Sequence, residues 1–238
     1  MKVTGLLAIA LMVGVSGSAA AQGIPWEDAV FVNVNFGGQT GSQTISGSQQ
    51  IPLYGEVGNV DYSRDVKGGG FFDLAAGVPV YGKLGAAMSL TFRSKPSDAT
   101  VSGSVPDSIG FDFRPVSATV PDLKHGETWL GFLAVGVIPA AEKVDVMVMG
   151  GPAVVWVEHD VIGTVSVSEP GPTLNVPTST VKKTVAGFII GADVRYMFNQ
   201  YVGAGGFLRF TTASADIDDA TKLDLGGFQI GAGIRFRY

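Results

Sequence analysis

The chain has 238 residues, no cysteine and a formal net charge of −5 at pH 7. The lack of thiols excludes disulfides, thiolate nucleophiles and Cys-ligated metals together. The mild acidity excludes nucleic acid as a partner, because phosphate neutralisation needs clustered Lys and Arg. Charged residues make up only 16% of the chain and Gly reaches 34, against a usual charged share of ~25%. Mean hydropathy is positive, yet nothing beyond residue 21 approaches the ~20 consecutive apolar residues of a membrane helix. Apolar residues are instead spread at every second position.

At the amino terminus Lys2 precedes a short apolar run, Leu6 to Val15, and Ala19-Ala20-Ala21 stands before Gln22. A charged start, a short greasy core and small residues predict a cleavable secretory signal over 1–21 rather than a spanning helix. That leaves 22–238 as one domain.

Eight strands are predicted in chain order. The first, 29–37, sets Val30, Val32, Val34 and Phe36 against Asn33 and Asn35. The second, 70–79, sets Phe72, Leu74, Ala76 and Val78 against Asp73. The third, 84–93, sets Ala86, Met88, Leu90 and Phe92 against Ser89, Thr91 and Arg93. The fourth, 123–138, is apolar on both faces past Trp129, and the favoured register puts Leu130, Phe132 and Ala134 outward and Glu127 inward. The fifth, 144–158, sends Val144, Val146, Val148 and Trp156 outward and Asp145 inward. Gly150-Gly151-Pro152 interrupts it, and Pro cannot donate to a ladder, so a bulge or bend is expected there.

The sixth strand, 182–197, opposes Phe188, Ile190, Val194 and Tyr196 to Gly187, Gly191, Asp193 and Arg195. The seventh, 201–211, opposes Val202, Leu208 and Phe210 to Arg209. The eighth runs over 222–238. Connections alternate in length. Short ones fall at 80–83, 139–143 and 199–200, and long polar ones at 38–67, 94–122, 159–181 and 212–221. Aromatics gather near the short turns (Tyr81, Tyr196, Phe198, Tyr201) and again near the far ends (Phe36, Phe92, Trp156, Phe210).

The closing segment GGFQIGAGIRFRY carries the strongest pattern. Phe228, Ile230, Ile234, Phe236 and Tyr238 line one face, and Gln229, Arg235 and Arg237 the other, to the last residue. With the dyad segments GGFFDLAAGVPVYGKLGAAMSLTF and AGFIIGADVRYMFNQYVGAGGFLRF, the chain resembles the small bacterial outer-membrane β-barrels over essentially its whole mature length. The resemblance implies an all-β, eight-stranded antiparallel up-and-down transmembrane barrel, with short periplasmic turns and four longer extracellular loops. It implies outer-membrane lipids and the barrel assembly machinery as partners, the latter reading the terminal aromatic strand. It supplies no catalytic motif.

The inward polar set is Asp73, Arg93, Glu127, Asp145, Asp193, Arg195, Arg209, Gln229, Arg235 and Arg237. Two readings stand: an ion-selecting wet lumen, or a packed core of salt bridges, which eight strands favour because their interior is just wide enough for side chains to fill. The only histidines, His125 and His159, fall at the extracellular ends of consecutive strands among Glu127, Glu158 and Asp160. They read as solvated rim residues, as a metal site, or as the general base of a surface hydrolase, for which no local motif supplies a nucleophile. No cofactor, resident metal or catalytic residue is expected. The function expected is non-enzymatic: an envelope structural or surface-interaction role, or limited passive permeation of small solutes, with loops carrying any ligand specificity. The alternative is the rim hydrolase or metal site.

Overall fold

A computed structural model describes residues 29–109, 112–168, 173–217 and 222–238. The expected signal segment, 1–21, lies outside the described residues. Among the described residues fourteen strands follow one another: β1 (Phe31–Gln39), β2 (Ser42–Leu53), β3 (Glu56–Lys67), β4 (Gly70–Tyr81), β5 (Leu84–Ser94), β6 (Ser97–Pro106), β7 (Phe113–Leu123), β8 (His125–Ala141), β9 (Val144–Ile162), β10 (Ser166–Ser168), β11 (Thr173–Asn175), β12 (Thr178–Met197), β13 (Val202–Asp216) and β14 (Lys222–Arg237).

Eight of them close a barrel in the order β1-β14-β13-β12-β9-β8-β5-β4, every neighbour antiparallel. The last strand closes on the first, Val34 opposite Ile234 and Gln39 opposite Gln229. Tyr238 completes the seam: its N–H donates to Val30 O at 2.9 Å, and its carbonyl accepts from Ala29 N at 2.6 Å.

The dyad pattern turns one face of every barrel strand outward. Phe36, Ile190, Leu208, Phe228 and Ile230 are exposed there, while Asn35, Ile189, Phe207 and Gln229 on the alternate positions are buried. Two aromatic belts bound this apolar band. Tyr196–Phe198 and Tyr201–Tyr238 ring pairs mark the short-turn end, and Phe36–Phe72 and Phe210–Phe228 pairs the other. In β8 the ambiguous register resolves with Phe132 and Ala134 outward and Trp129, Leu133 and Val135 inside.

Two expectations are corrected. The Gly150-Gly151-Pro152 segment makes no bulge, since β12 pairs through it without a shift, Ile190 to Gly150 and Phe188 to Pro152. On the β8 side only the rungs at Phe132 and Leu133 are skipped, and the same register resumes at Gly131 and Ala153. Gly151 absorbs the lost rung: a Cβ there would sit 2.0 Å from Phe132 O, so its bare backbone lets the strands close up. The irregularities fall instead beside the short turns, at Pro139/Ala141 and Pro79/Tyr81.

The segments 38–67 and 94–122, expected as loops, are largely strands. β2–β3 and β6–β7 are hairpins that join in one four-stranded sheet, order β2-β3-β6-β7, rising above the barrel. Tyr54 (φ 53°) and Gly55 (φ 82°) form the two-residue left-handed turn that suits the twist of a hairpin. The inner face of this sheet holds its own core, with Val60, Val101, Val105 and Val116 packed on Val165 and Leu174 from the β10–β11 region.

Val194 is exposed on β12 opposite Gly206, about midway along β13 between Tyr201 and Phe210 of the two belts. Val194→Lys puts an ammonium near the centre of that apolar band, and in lipid vesicles should lower the urea-unfolding free energy by about 2–4 kcal/mol. Thr119→Lys, on the outer face of the upper sheet, should change it by under ~0.5 kcal/mol.

Candidate functional site at the barrel mouth

The lumen is divided lengthwise. Against β8, β9 and β12 it is apolar: Trp129, Leu133, Val135, Met147, Val155 and Ile189 form one buried cluster. Against β1, β4, β5, β13 and β14 it is a polar network, which Asp193 and Arg195 of β12 and Asp145 of β9 also join. Arg235 lies 2.8 Å from Asp193 and donates to Asn35 Oδ1 at 2.5 Å. Asn35 donates to Asp73 at 2.8 Å, and Asp73 also takes the Thr91 hydroxyl at 2.7 Å and Arg209 at 3.0 Å. Arg209 reaches Gln229, and Gln229 donates to Gln39 at 2.7 Å. Below them Asp145 binds Arg237, with Arg195 at 3.8 Å. Room for these long side chains comes from glycine: a Cβ on Gly205 would stand 2.7 Å from Arg235 Nε, and one on Gly231 2.6 Å from the Phe207 ring.

Eight residues of the inward polar set, Asp73, Asp145, Asp193, Arg195, Arg209, Gln229, Arg235 and Arg237, meet in this network, and Arg93 and Glu127 pair with each other at the mouth. Asn35, Gln39, Thr91 and Trp129 join them through partners not evident from charge alone. A void of about 20 Å³ lies among Asn33, Asn35, Asp73 and Asp193, which is space for about one water.

The mouth holds a separate cluster. His125 and His159 are cross-strand partners on β8 and β9. They are not solvated rim residues: their exposures are 1% and 2%. The hairpins of the upper sheet roof the barrel, which the loop reading had left open to water. Hydrogen-bond donors fix the tautomers. Arg64 on β3 can only donate, so at 3.4 Å it faces the lone pair of His159 Nε2. His159 Nδ1–H then donates to His125 Nδ1 at 3.1 Å. His125 Nε2–H donates to Glu127 Oε1 at 3.0 Å. Glu127 is further held by Arg93 and by Trp129 Nε1–H at 2.9 Å.

Arg64 was invisible in the loop reading, although the alternation Val60, Tyr62, Arg64, Val66 against Asp61, Ser63, Asp65 marked its strand. It ties four segments together. Its guanidinium donates to Asp160 O at 2.5 Å, Leu123 O at 2.6 Å and Lys124 O at 3.1 Å, and its Nε to Ser97 Oγ at 2.9 Å. Burial pushes the His159 imidazole down to about 3, and the facing Arg64 charge and His125 push the same way. Asp160 is shifted below the usual carboxylate range: burial opposes this, but the Thr180 hydroxyl, the Lys124 N–H and Arg64 outweigh it.

Beside this cluster, between β14 and the β1–β2 corner, a cavity of about 460 Å³ is lined by Arg93, His125, Glu127, Gln43, Thr211 and Asp224, among others. Both nitrogens of His125 are engaged within the cluster. Among the described residues no hydroxyl or second carboxylate is hydrogen-bonded to either histidine, and no group of three or more His, Asp or Glu is arranged to hold a metal. The arrangement is that of a neutral relay ending on a charge-compensated carboxylate. It lacks the positioned nucleophile a hydrolase needs.

The fold is a closed eight-stranded antiparallel β-barrel carrying an added four-stranded sheet. No family model matches the chain, and no curated protein matches it. Among solved structures it is similar to the outer membrane protein OprG from Pseudomonas aeruginosa, with 10% identity, a TM-score of 0.48, and coverage of 91% of this chain and 98% of that one. It is also similar to the outer membrane protease OmpT from Escherichia coli, with 10% identity, a TM-score of 0.47, and 90% and 98% coverage. A third is Neisserial surface protein A, with 11% identity, a TM-score of 0.43, and 88% and 97% coverage. One of the three is named a protease and the others are not, so no common activity attaches to the likeness.

Two outcomes are expected. His159 ionises near 6.5 when exposed but only near 3 in the fold, so its contribution to stability is full above pH ~6.5 and is lost progressively as pH falls from 6.5 towards 3. Hydrogen-exchange protection factors in β3 and upper β9, taken against the intrinsic rate at each pH, should fall between pH 6.5 and 5, a window in which ordinary carboxylates titrate little. His159→Gln, which can still accept from Arg64 and donate to His125, should flatten that dependence. Separately, Arg209→Ala strips Asp73 of its cation while the carboxylate stays 1% exposed. Urea unfolding should show a loss of about 3–5 kcal/mol, mostly recovered by Asp73→Asn on the same chain.

Proposed function

We propose that this chain is an exported, non-enzymatic protein of a bacterial outer membrane, whose work is done by its extracellular β-sheet rather than by a pore. The observation that carries the reading is the filled lumen under a folded superstructure. Arg209 of β13 reaches across the barrel axis to Thr91 of β5 at 2.9 Å, and Arg235 of β14 reaches past β13 to Asp193 of β12. The apolar band between two aromatic belts supports the membrane setting. Tyr238 paired into the seam with β1 supports the terminal strand, including Phe228, Ile230, Ile234 and Phe236, as the segment that assembly machinery would engage. A barrel filled in this way serves as a stiff anchor, and it leaves little scope for permeation of small solutes.

The refolded chain should be electrically silent in planar bilayers at ±100 mV while showing the heat-shifted gel mobility of a closed barrel. Steady, reproducible single-channel steps from the folded species would overturn the anchor reading and restore the ion-selecting lumen.

A further inference from the structure

Exposed large apolar side chains fall in two places. Among the described residues all of them belong to a barrel strand or to the short-turn end of the barrel, except Tyr54, Val57, Ile109 and Phe113. Those four stand on the tips of the two hairpins of the upper sheet, at the end remote from the barrel. Pro52 pairs with Val57, and Pro106 with Phe113. The last β3–β6 rung joins Asn59 to Ser104, and a Cβ on Gly58 would lie 3.1 Å from Pro106 Cδ, so the two hairpins still adjoin at their tips. Val57 and Phe113 are therefore two strand spacings apart on one outward face, roughly 10 Å. Tyr54 and Ile109 lie in the two turns beyond them, and Ile109 is 88% exposed. Lower down, the same face is polar: Ser46, Ser63, Thr100 and Thr119 form one row across the sheet.

Folding of the hairpins does not call for these side chains. Tyr54 takes the first place of a two-residue turn at φ 53°, where Asn, Asp or Gly is favoured and a bulky residue is strained. Its ring gains no burial in return, being 53% exposed. A strained backbone held under an exposed aromatic points to a contact outside the chain. The clustering points the same way, since apolar side chains scattered singly over a surface need no explanation and a patch does. The rim of the patch is acidic. Residues 51–60 and 104–116 carry Glu56, Asp107 and Asp112 against the single base Arg114. Arg114 stands 3.6 Å from Asp107, whose carboxylate also accepts the Ile109 N–H at 3.1 Å. Among the described residues Glu56 and Asp112 form no ion pair with Lys or Arg.

That charge decides between occupants. Two crests set face to face bring like charges together, which disfavours a second copy of this chain. A bilayer surface attracts apolar segments framed by Lys and Arg, and this one is framed by carboxylates. Resting on the reading that the upper sheet does the protein's work, we infer that the crest docks a polypeptide whose apolar patch is ringed by Lys or Arg. Tyr54, Val57, Ile109 and Phe113 form the desolvated centre of the contact, and Glu56 and Asp112 its polar rim. The rim charges speed encounter and select the partner. The apolar anchors set how long it stays.

The test uses the full folded chain in phosphatidylcholine nanodiscs, with empty nanodiscs as the blank. The probes are three synthetic amphipathic peptides of equal length, built of leucine and lysine, leucine and glutamate, or serine and lysine. The leucine–lysine peptide should bind about tenfold or more tighter than either of the others. Tyr54→Asn, Ile109→Ser and Phe113→Thr together keep the fold, because Asn is favoured at that φ and Thr in a strand. They should weaken the leucine–lysine peptide by about tenfold or more and leave the serine–lysine peptide unchanged. Glu56→Lys with Asp112→Lys should turn the preference towards the leucine–glutamate peptide. Equal binding of the three peptides, or variants indistinguishable from the parent, would overturn the inference. So would self-association of the peptide-free chain that the triple variant abolishes, because the occupant would then be a second copy. Peptide-free docking onto phosphatidylcholine vesicles, abolished in the same way, would make the occupant a bilayer and overturn it too. Steady conductance from the folded barrel breaks the anchor reading beneath this inference; a silent barrel without peptide preference breaks only the inference.

Discussion

Backbone hydrogen bonding is the constraint from which the rest of this structure follows. In hydrocarbon no water can satisfy a stray N–H or C=O, so the sheet must end on itself. Here that means β14 against β1 along the full length of β1, with the last carbonyl of the chain accepting from residues 29 and 30. Closure at eight strands then sets the bore. A barrel of that size is just filled by its own side chains, so the inward residues cannot be chosen freely: each must have partners across the axis.

The chain meets that demand by splitting the lumen. One wall is packed with Trp129, Leu133, Val135 and Ile189. The facing wall carries arginines that would be prohibitive to bury alone, each matched to a carboxylate: Arg209 to Asp73, Arg235 to Asp193, and Arg237 to Asp145. The apolar half keeps water out, which strengthens the polar half and also makes any unpaired member of it costly. Glycines opposite Arg235 and Phe207 are the geometric complement of that packing. Part of the high glycine content is thereby explained as room for the packed lumen side chains.

This division governs what could be read in the sequence. The barrel strands were legible because one face is exposed and apolar and the other is buried with polar and glycine residues, so alternation is strong in β12, β13 and β14. The charged lumen residues were legible for the same reason. Strands β2, β3, β6 and β7 were missed because their outer face is hydroxyl and amide rather than apolar. Their alternation, as in Val60-Tyr62-Arg64-Val66, is real but sits in segments whose Gly, Ser and Pro content reads as loop. Pro152 misled in the opposite direction, since a glycine beside it allowed the strands to close over the missing donor. The burial of His125 and His159 could not be foreseen without the sheet that covers them.

Arg64 is where the two parts of the molecule become one. A hairpin on long strands above a membrane would otherwise swing on its two connecting segments. Arg64 instead donates to backbone carbonyls on both sides of the β7–β8 junction and on β9, and meets the histidine relay that ends on Glu127. Leu123 O and Lys124 O lie at the junction where the barrel wall passes into the superstructure, and Lys124 O also accepts from Asp160 N at 3.0 Å. One guanidinium therefore reinforces the backbone bonding at that junction. The relay beneath it stays uncharged at its His159 end because a proton there would face that same guanidinium. The orientation of the upper sheet relative to the barrel is thus set by a buried polar knot rather than by the segments that connect the two.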